Sequence, residues 1–130
     1  MENLIIEETK FSPSIVFDGD KHCLSITGKS YPENTSVFYA PVFSWLEDYI
    51  EKLDDDQDVG VNIELIYFNS SSSKVLLDFF DILDEAAEDG KSIAVNWIYE
   101  EDDEDSLEFG EEFKEDYESL TFNLVEKKPE

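Results

Sequence analysis

Val59-Gly-Val-Asn-Ile-Glu-Leu-Ile-Tyr-Phe68 runs into Asn69-Ser-Ser-Ser-Ser-Lys74 and then into Val75-Leu-Leu-Asp-Phe-Phe80, and across this stretch the apolar pattern changes from that of a strand to that of a helix. The first segment is rich in Val, Ile, Leu and aromatic residues, as a buried strand requires. Beyond the serines, Val75, Leu76, Phe79, Phe80, Leu83, Ala86 and Ala87 make a wide apolar helical face that runs to about Glu88, where Asp89-Gly90 supplies a stop. Ser92 to Tyr99 then reads as a strand again. A strand, a helix and a second strand in one sheet need a right-handed crossover, so this part of the sheet is predicted to be parallel.

The flanking segments complete the pattern. Upstream lie β-prone stretches at Leu4 to Glu7, Ser14 to Asp18 and His22 to Thr27, the last two joined by Asp18-Gly19-Asp20, a hairpin turn signal. After Ser30-Tyr-Pro-Glu-Asn34, helical spacing begins with Val37, Phe38, Val42, Trp45, Leu46, Tyr49, Ile50 and Leu53, and Asn34 is the predicted N-cap. Pro41 lacks an amide donor, so the sequence predicts either a kink or a short first turn followed by the main helix from Pro41. Downstream, Ser106 to Tyr117 reads as a third helix and Leu120 to Val125 as a final strand. The order β-β-β-α-β-α-β-α-β predicts an α/β fold: a mixed sheet covered by helices, with the hairpin at one edge and residues 1–130 as a single domain.

Composition restricts the function. The chain has 130 residues with 34 Asp+Glu against 9 Lys+Arg, a formal net charge of −25. Such a surface repels DNA, RNA and anionic membranes. Yet 39 of the residues are Leu, Ile, Val or Phe, enough for a folded core despite the self-repulsion. The single cysteine, Cys23, excludes an intrachain disulfide and multi-cysteine metal sites and fits a reducing compartment. With no signal-peptide pattern and no apolar run of membrane-spanning length, a cytoplasmic location is expected.

The serine run is the main candidate for chemistry. It lies where a strand ends and a helix opens, where backbone amides and the helix dipole favour a serine cap, an anion or a covalent phosphate. One serine would satisfy the cap, so four exceed that need. A phosphate there would add roughly −1.5 to −2 charges and hinder a partner docked over the loop. Ser71-x-x-Lys74 also matches the spacing of some serine acyl-transfer enzymes, a remote alternative because Ser-Asp-Asn and Lys-Thr-Gly are both missing. Asp54-x-Asp56-x-Asp58 imitates half a calcium loop, but Val59 and Leu65 stand where glycine and glutamate are needed. Glu100-Glu-Asp-Asp-Glu-Asp105 reads as a solvated loop, and a divalent-cation-binding or other interaction domain without a phospho-switch is the second alternative. His22 is read as structural and Cys23 as a small buried residue. Tyr31-Pro32-Glu33-Asn34 reads either as a turn or as an interaction edge carrying a tyrosine. No catalytic residue, metal ligand or cofactor is assigned.

Gly28-Lys-Ser-Tyr-Pro-Glu-Asn34, the helix with Trp45-Leu46-Glu47, and Leu65-Ile-Tyr-Phe-Asn-Ser-Ser-Ser-Ser-Lys74 leading to Leu77-Asp78 and Leu83-Asp84-Glu85 together resemble the SiaC family of bacterial regulatory phosphoproteins. The resemblance covers nearly the whole chain. It implies a fold similar to the anti-sigma-factor antagonists and a non-enzymatic switch. A protein kinase would phosphorylate the hydroxyl residue after the loop asparagine, and a metal-dependent serine/threonine phosphatase would remove the phosphate. The unphosphorylated form would bind and activate a diguanylate cyclase, raising cyclic di-GMP. Carried onto this chain, the asparagine is Asn69 and the acceptor Ser70, with serine where the family often has threonine. The expected docking surface comprises Tyr31, Pro32, Glu33 and Asn34 from one loop, and Asn69, Ser71, Ser72 and Lys74 from the other.

Overall fold

The computed structural model describes residues 2–128. They form strands β1 (Leu4–Ile6), β2 (Ser14–Asp18) and β3 (Cys23–Ser30), helix α1 (Thr35–Lys52), strand β4 (Asp58–Phe68), helix α2 (Ser70–Glu88), strand β5 (Ser92–Glu100), helix α3 (Glu104–Asp116) and strand β6 (Thr121–Lys127). The sheet order is β1-β2-β3-β4-β5-β6. The β1–β2 and β2–β3 pairs are antiparallel and the three later pairs parallel, so the hairpin occupies one edge as the sequence predicts.

The helices cover only one face of this sheet. Cross-strand register places Phe17 beside Leu24, Leu24 beside Val61, Val61 beside Val95 and Val95 beside Phe122, a continuous apolar row. Phe17 packs against Trp45 of α1 and Phe79 of α2, and Trp97 against Phe113 of α3, so all three helices lie on that side. The cause is topological. Strands laid down in sequential order with right-handed crossovers send every crossover over the same face. The opposite face carries a polar row across β4, β5 and β6, where Asn123 Nδ2 donates to Asn96 Oδ1 at 3.1 Å and Asn96 Nδ2 to Asn62 Oδ1 at 2.9 Å, while Ile5 and Val16 are exposed on it at the β1 edge. Half-buried Cys23 sits on this side as well, 3.5 Å from Asn62 Nδ2, and is not the interior residue the sequence suggests.

Local departures from the sequence reading have identifiable causes. The turn between β2 and β3 spans Gly19 to His22, with Asp18 Oδ1 accepting from the amides of Asp20 and Lys21. His22 takes a left-handed conformation (φ 53°), and its Nδ1 lies 2.5 Å from Tyr49 Oη, a tertiary partner that sequence could not supply. Helix α1 runs unbroken across Pro41, because the proline is exposed and its missing hydrogen bond would have gone to Val37, also exposed. Helix α3 begins at Glu104 rather than Ser106. Asp103 caps it by accepting from the Ser106 amide at 3.0 Å, and Glu104 and Asp105 complement the positive helix end, so part of the acidic run is helix rather than loop. Among the described residues, no helix is long and apolar enough to cross a membrane, and no group of three or more His, Cys, Asp or Glu is placed to hold a metal ion.

One irregularity positions the candidate site. Gly28 of β3 pairs with Leu65 of β4, but Lys29 pairs with Tyr67, so Ile66 is an extra residue, a bulge in β4. The bulge reverses the alternation. Leu65 faces the core, Ile66 and Tyr67 are exposed, and Phe68 turns back toward Trp97. Gly28 opposite it has φ +113°, a conformation that favours glycine. The consequence is that Asn69 emerges on the helical side of the sheet, in line to open α2.

Candidate partner-docking site

Helices α1 and α2 both start at the carboxyl ends of parallel strands, and both are capped by asparagine. Asn34 Oδ1 accepts from the Val37 amide at 3.2 Å, and Asn69 Oδ1 from the Ser72 amide at 2.9 Å. The cap of α2 is therefore Asn69, and the serines form its first turn, which corrects the reading in which a serine caps the helix. Their hydroxyls are thus free of the capping task. Ser70, at the first helical position, is exposed, as are Ser71 and Lys74, while Ser73 is half-buried.

Ser72 differs from its neighbours. It is 1% exposed, and its Oγ donates to the Ser30 carbonyl at 2.9 Å and lies 2.8 Å from Ser30 Oγ, which in turn lies 2.6 Å from Tyr39 Oη. Ser72 therefore belongs to an internal hydrogen-bond chain that ties β3, α1 and α2 together, and its hydroxyl does not face an approaching partner. Helical geometry explains the split. Successive residues step by about 100°, so in a run of four serines one must point inward. Burial pushes the Tyr39 phenol above its ordinary pKa, partly opposed by the Ser30 hydrogen bond.

The two helix starts line one open groove of about 480 Å³, whose walls include Glu33, Asn34, Ser36, Ser71, Lys74 and Asp78. Ser71 and Lys74 thus share a wall, both exposed to water. Next to it, Tyr31 joins Phe11 (ring centroids 5.5 Å apart) and Tyr67 (5.6 Å), both edge-on, in an aromatic cluster drawn from three separate segments. Phe11 and Tyr67 are about half exposed and Ile66 is 61% exposed. Pro32 is half-buried, and Glu33 and Asn34 are exposed on the rim. Apart from Ser72, the structure brings the residues expected at a docking surface to one end of the molecule. Sequence reasoning missed Phe11, Ile66 and Tyr67. Tyr67 had a signal, an aromatic two residues before the loop asparagine, but strand alternation without the bulge would have turned it inward.

An α/β scaffold that presents a hydroxyl-bearing helix start at the same end as exposed aromatics has the make-up of a protein-binding module. The chain belongs to the SiaC family: the model described as SiaC family regulatory phosphoprotein matches residues 6–127. An uncharacterized protein of Pseudomonas aeruginosa (strain UCBPP-PA14) is 34% identical over 116 residues, covering 89% of this chain and 90% of that one. The solved structure of SiaC of Pseudomonas aeruginosa superposes with a TM-score of 0.85 at 30% identity, covering 99% of this chain and 100% of that one. A chain of the crystal structure of the diguanylate cyclase SiaD in complex with its activator SiaC, from the same species, matches with a TM-score of 0.85 at 31% identity, covering 97% of this chain and 99% of that one. As a member of a family of regulatory phosphoproteins the chain is a regulatory protein rather than an enzyme, which removes the acyl-hydrolase alternative for Ser71 and Lys74.

Proposed function

We propose that this protein binds and regulates a diguanylate cyclase, and that phosphorylation of Ser70 by a protein kinase, reversed by a metal-dependent serine/threonine phosphatase, switches the binding off. The observation that carries this reading is the placement of Ser70, exposed at the first position of α2, immediately after its asparagine cap and three residues after the exposed Tyr67. The relative SiaC is an activator in complex with the cyclase SiaD, which supports the choice of partner.

The physics of the switch is local. A phosphate on Ser70 adds roughly −1.5 to −2 charges at the positive end of a helix, one turn from the exposed Lys74. That position stabilises the modified chain by about 0.3–1 kcal/mol, so phosphorylation leaves the fold intact. The effect on docking has the opposite sign, because burying a hydrated dianion against a partner costs several times more unless the partner supplies matching cations. The test compares Ser70→Asp and Ser70→Ala for binding to the cognate SiaD-type cyclase by calorimetry. Ser70→Ala is expected to bind like the wild type and Ser70→Asp to bind at least about tenfold more weakly, a cost of about 1.4 kcal/mol. Equal binding by the two variants refutes the switch.

A further inference from the structure

A second concavity lies at the β4 bulge, between the carboxyl end of β4 and the start of α3. It has a volume of about 260 Å³, and its walls include Tyr67, Phe68, Phe109, Asp103, Asp105 and Ser106. Phe109 is 40% exposed and packs against Phe68 with ring centroids 5.0 Å apart, so an aromatic wall faces the opening. Asp105 supplies an exposed carboxylate, Asp103 a half-buried one whose Oδ1 already accepts from the Ser106 amide, and no lysine is among the lining residues. Ser106 is 6% exposed. Its amide is held by Asp103 and its carbonyl by Trp97 Nε1 at 2.9 Å, while its hydroxyl has no hydrogen-bond partner.

We infer that this notch receives a guanidinium group, an arginine side chain presented by the protein partner. Aromatic faces beside carboxylates suit a flat, donor-only cation, which stacks on a ring and forks to a carboxylate at once; a lysine ammonium is a point charge with stronger hydration. An anionic or nucleotide ligand is disfavoured by the same carboxylates and by the net charge of −25. The chain cannot fill the notch with an arginine from itself or from a second copy, because its nine basic residues are all lysine. The notch also shares Ile66 and Tyr67 with the rim of the docking surface, so a single partner could cover both. The inference rests on the partner-binding reading above and deepens it by naming the chemistry the partner must bring.

The test uses the full-length unphosphorylated protein, labelled with ¹⁵N, titrated with ethylguanidinium chloride and separately with ethylammonium chloride at constant ionic strength. Ethylguanidinium is expected to shift the amide signals of Tyr67, Ser106 and Phe109 saturably and to bind about threefold or more tighter than ethylammonium. Phe109→Ala and Asp105→Asn, both at exposed positions, are each expected to weaken that binding by about threefold while leaving the rest of the spectrum in place. Shifts spread over the whole acidic surface, equal affinity for the two cations, or unchanged binding in both variants would overturn the inference. Because neither the cyclase nor a phosphate is present, failure here is distinguishable from failure of the Ser70 switch.

Discussion

Removing the hydroxyl of Ser30 should destabilise the protein more than removing that of Ser72, although the two side chains are hydrogen-bonded to each other. In Ser72→Ala, the Ser30 carbonyl still accepts from the Asn69 amide at 3.1 Å, and Ser30 Oγ keeps Tyr39 Oη at 2.6 Å. Two hydrogen bonds of Ser72 are lost but no buried group is orphaned, so the cost is about 1–2 kcal/mol. In Ser30→Ala, Ser72 Oγ keeps the Ser30 carbonyl, but Tyr39 Oη, on a residue 2% exposed, loses its hydroxyl partner. Two hydrogen bonds of Ser30 are lost here as well, and orphaning Tyr39 adds a desolvation penalty of about 1–3 kcal/mol, for a total of about 2–5 kcal/mol. Tyr39→Phe on the Ser30→Ala background removes the orphan and should recover about 1 kcal/mol or more. The assay is urea unfolding followed by tryptophan fluorescence, with the variants compared at a common slope. If Ser72→Ala proves the more damaging of the two, or if Tyr39→Phe makes Ser30→Ala worse, the chain of bonds described above does not stabilise the α2 start as argued.

Other expectations follow from the same structure. Burial raises the phenol of Tyr49 to about 12 and also raises Tyr39, while Tyr117 lies above the usual tyrosine range through burial and its bond to Asp81. Between pH 10 and 12 the folded state therefore binds more protons than the unfolded chain, so stability is fully present below pH 10 and is lost as pH rises through the folded values. Urea midpoints measured from pH 8 upward should stay flat and then fall above about pH 10, and a rising midpoint there would contradict the assignment. At Gly110 an added Cβ would lie 2.6 Å from Trp97 Cδ1 and 2.7 Å from Leu124 Cδ2. The overpacking cost of about 1–3 kcal/mol exceeds the gain of about 1 kcal/mol from helix propensity, so Gly110→Ala should lower the melting temperature, and a raised value would show that Trp97 can yield. With a net charge of −25, screening should stabilise the fold: the urea midpoint should rise as the Debye length shrinks from about 30 Å at 0.01 M salt to about 10 Å at 0.1 M, and an unchanged midpoint would rule out self-repulsion as a significant term.

The order of elements was legible because hydrophobic periodicity is a local property of the chain. The strand–serines–helix passage at Val59 to Phe80 announced a parallel crossover, and Asp18-Gly19 announced the antiparallel edge. The Asn34 cap was legible for the same reason, since a cap acts within its own first turn. The boundary of α2 was misjudged where two polar residue types competed for one role: asparagine and serine both cap helices, and only the backbone at Asn69 (φ −87°, ψ 178°) decides that the turn begins after it. His22 shows the limit from the other side, because its partner Tyr49 is 27 positions away.

Composition, periodicity and loop motifs all reside in the covalent order, and from them alone follow an acidic α/β fold, two loop segments that carry the distinctive residues, and the resemblance to a family of regulatory phosphoproteins. Tertiary structure alone decided that the helices share one face of the sheet, that Ser72 is interior while Ser70 is exposed, and that the β4 bulge turns Ile66 and Tyr67 outward beside Phe11 and Tyr31. These are properties of register and of packing between distant segments. A shift of one residue in strand pairing exchanges inside for outside, and no local pattern reports which register the partner strand will impose.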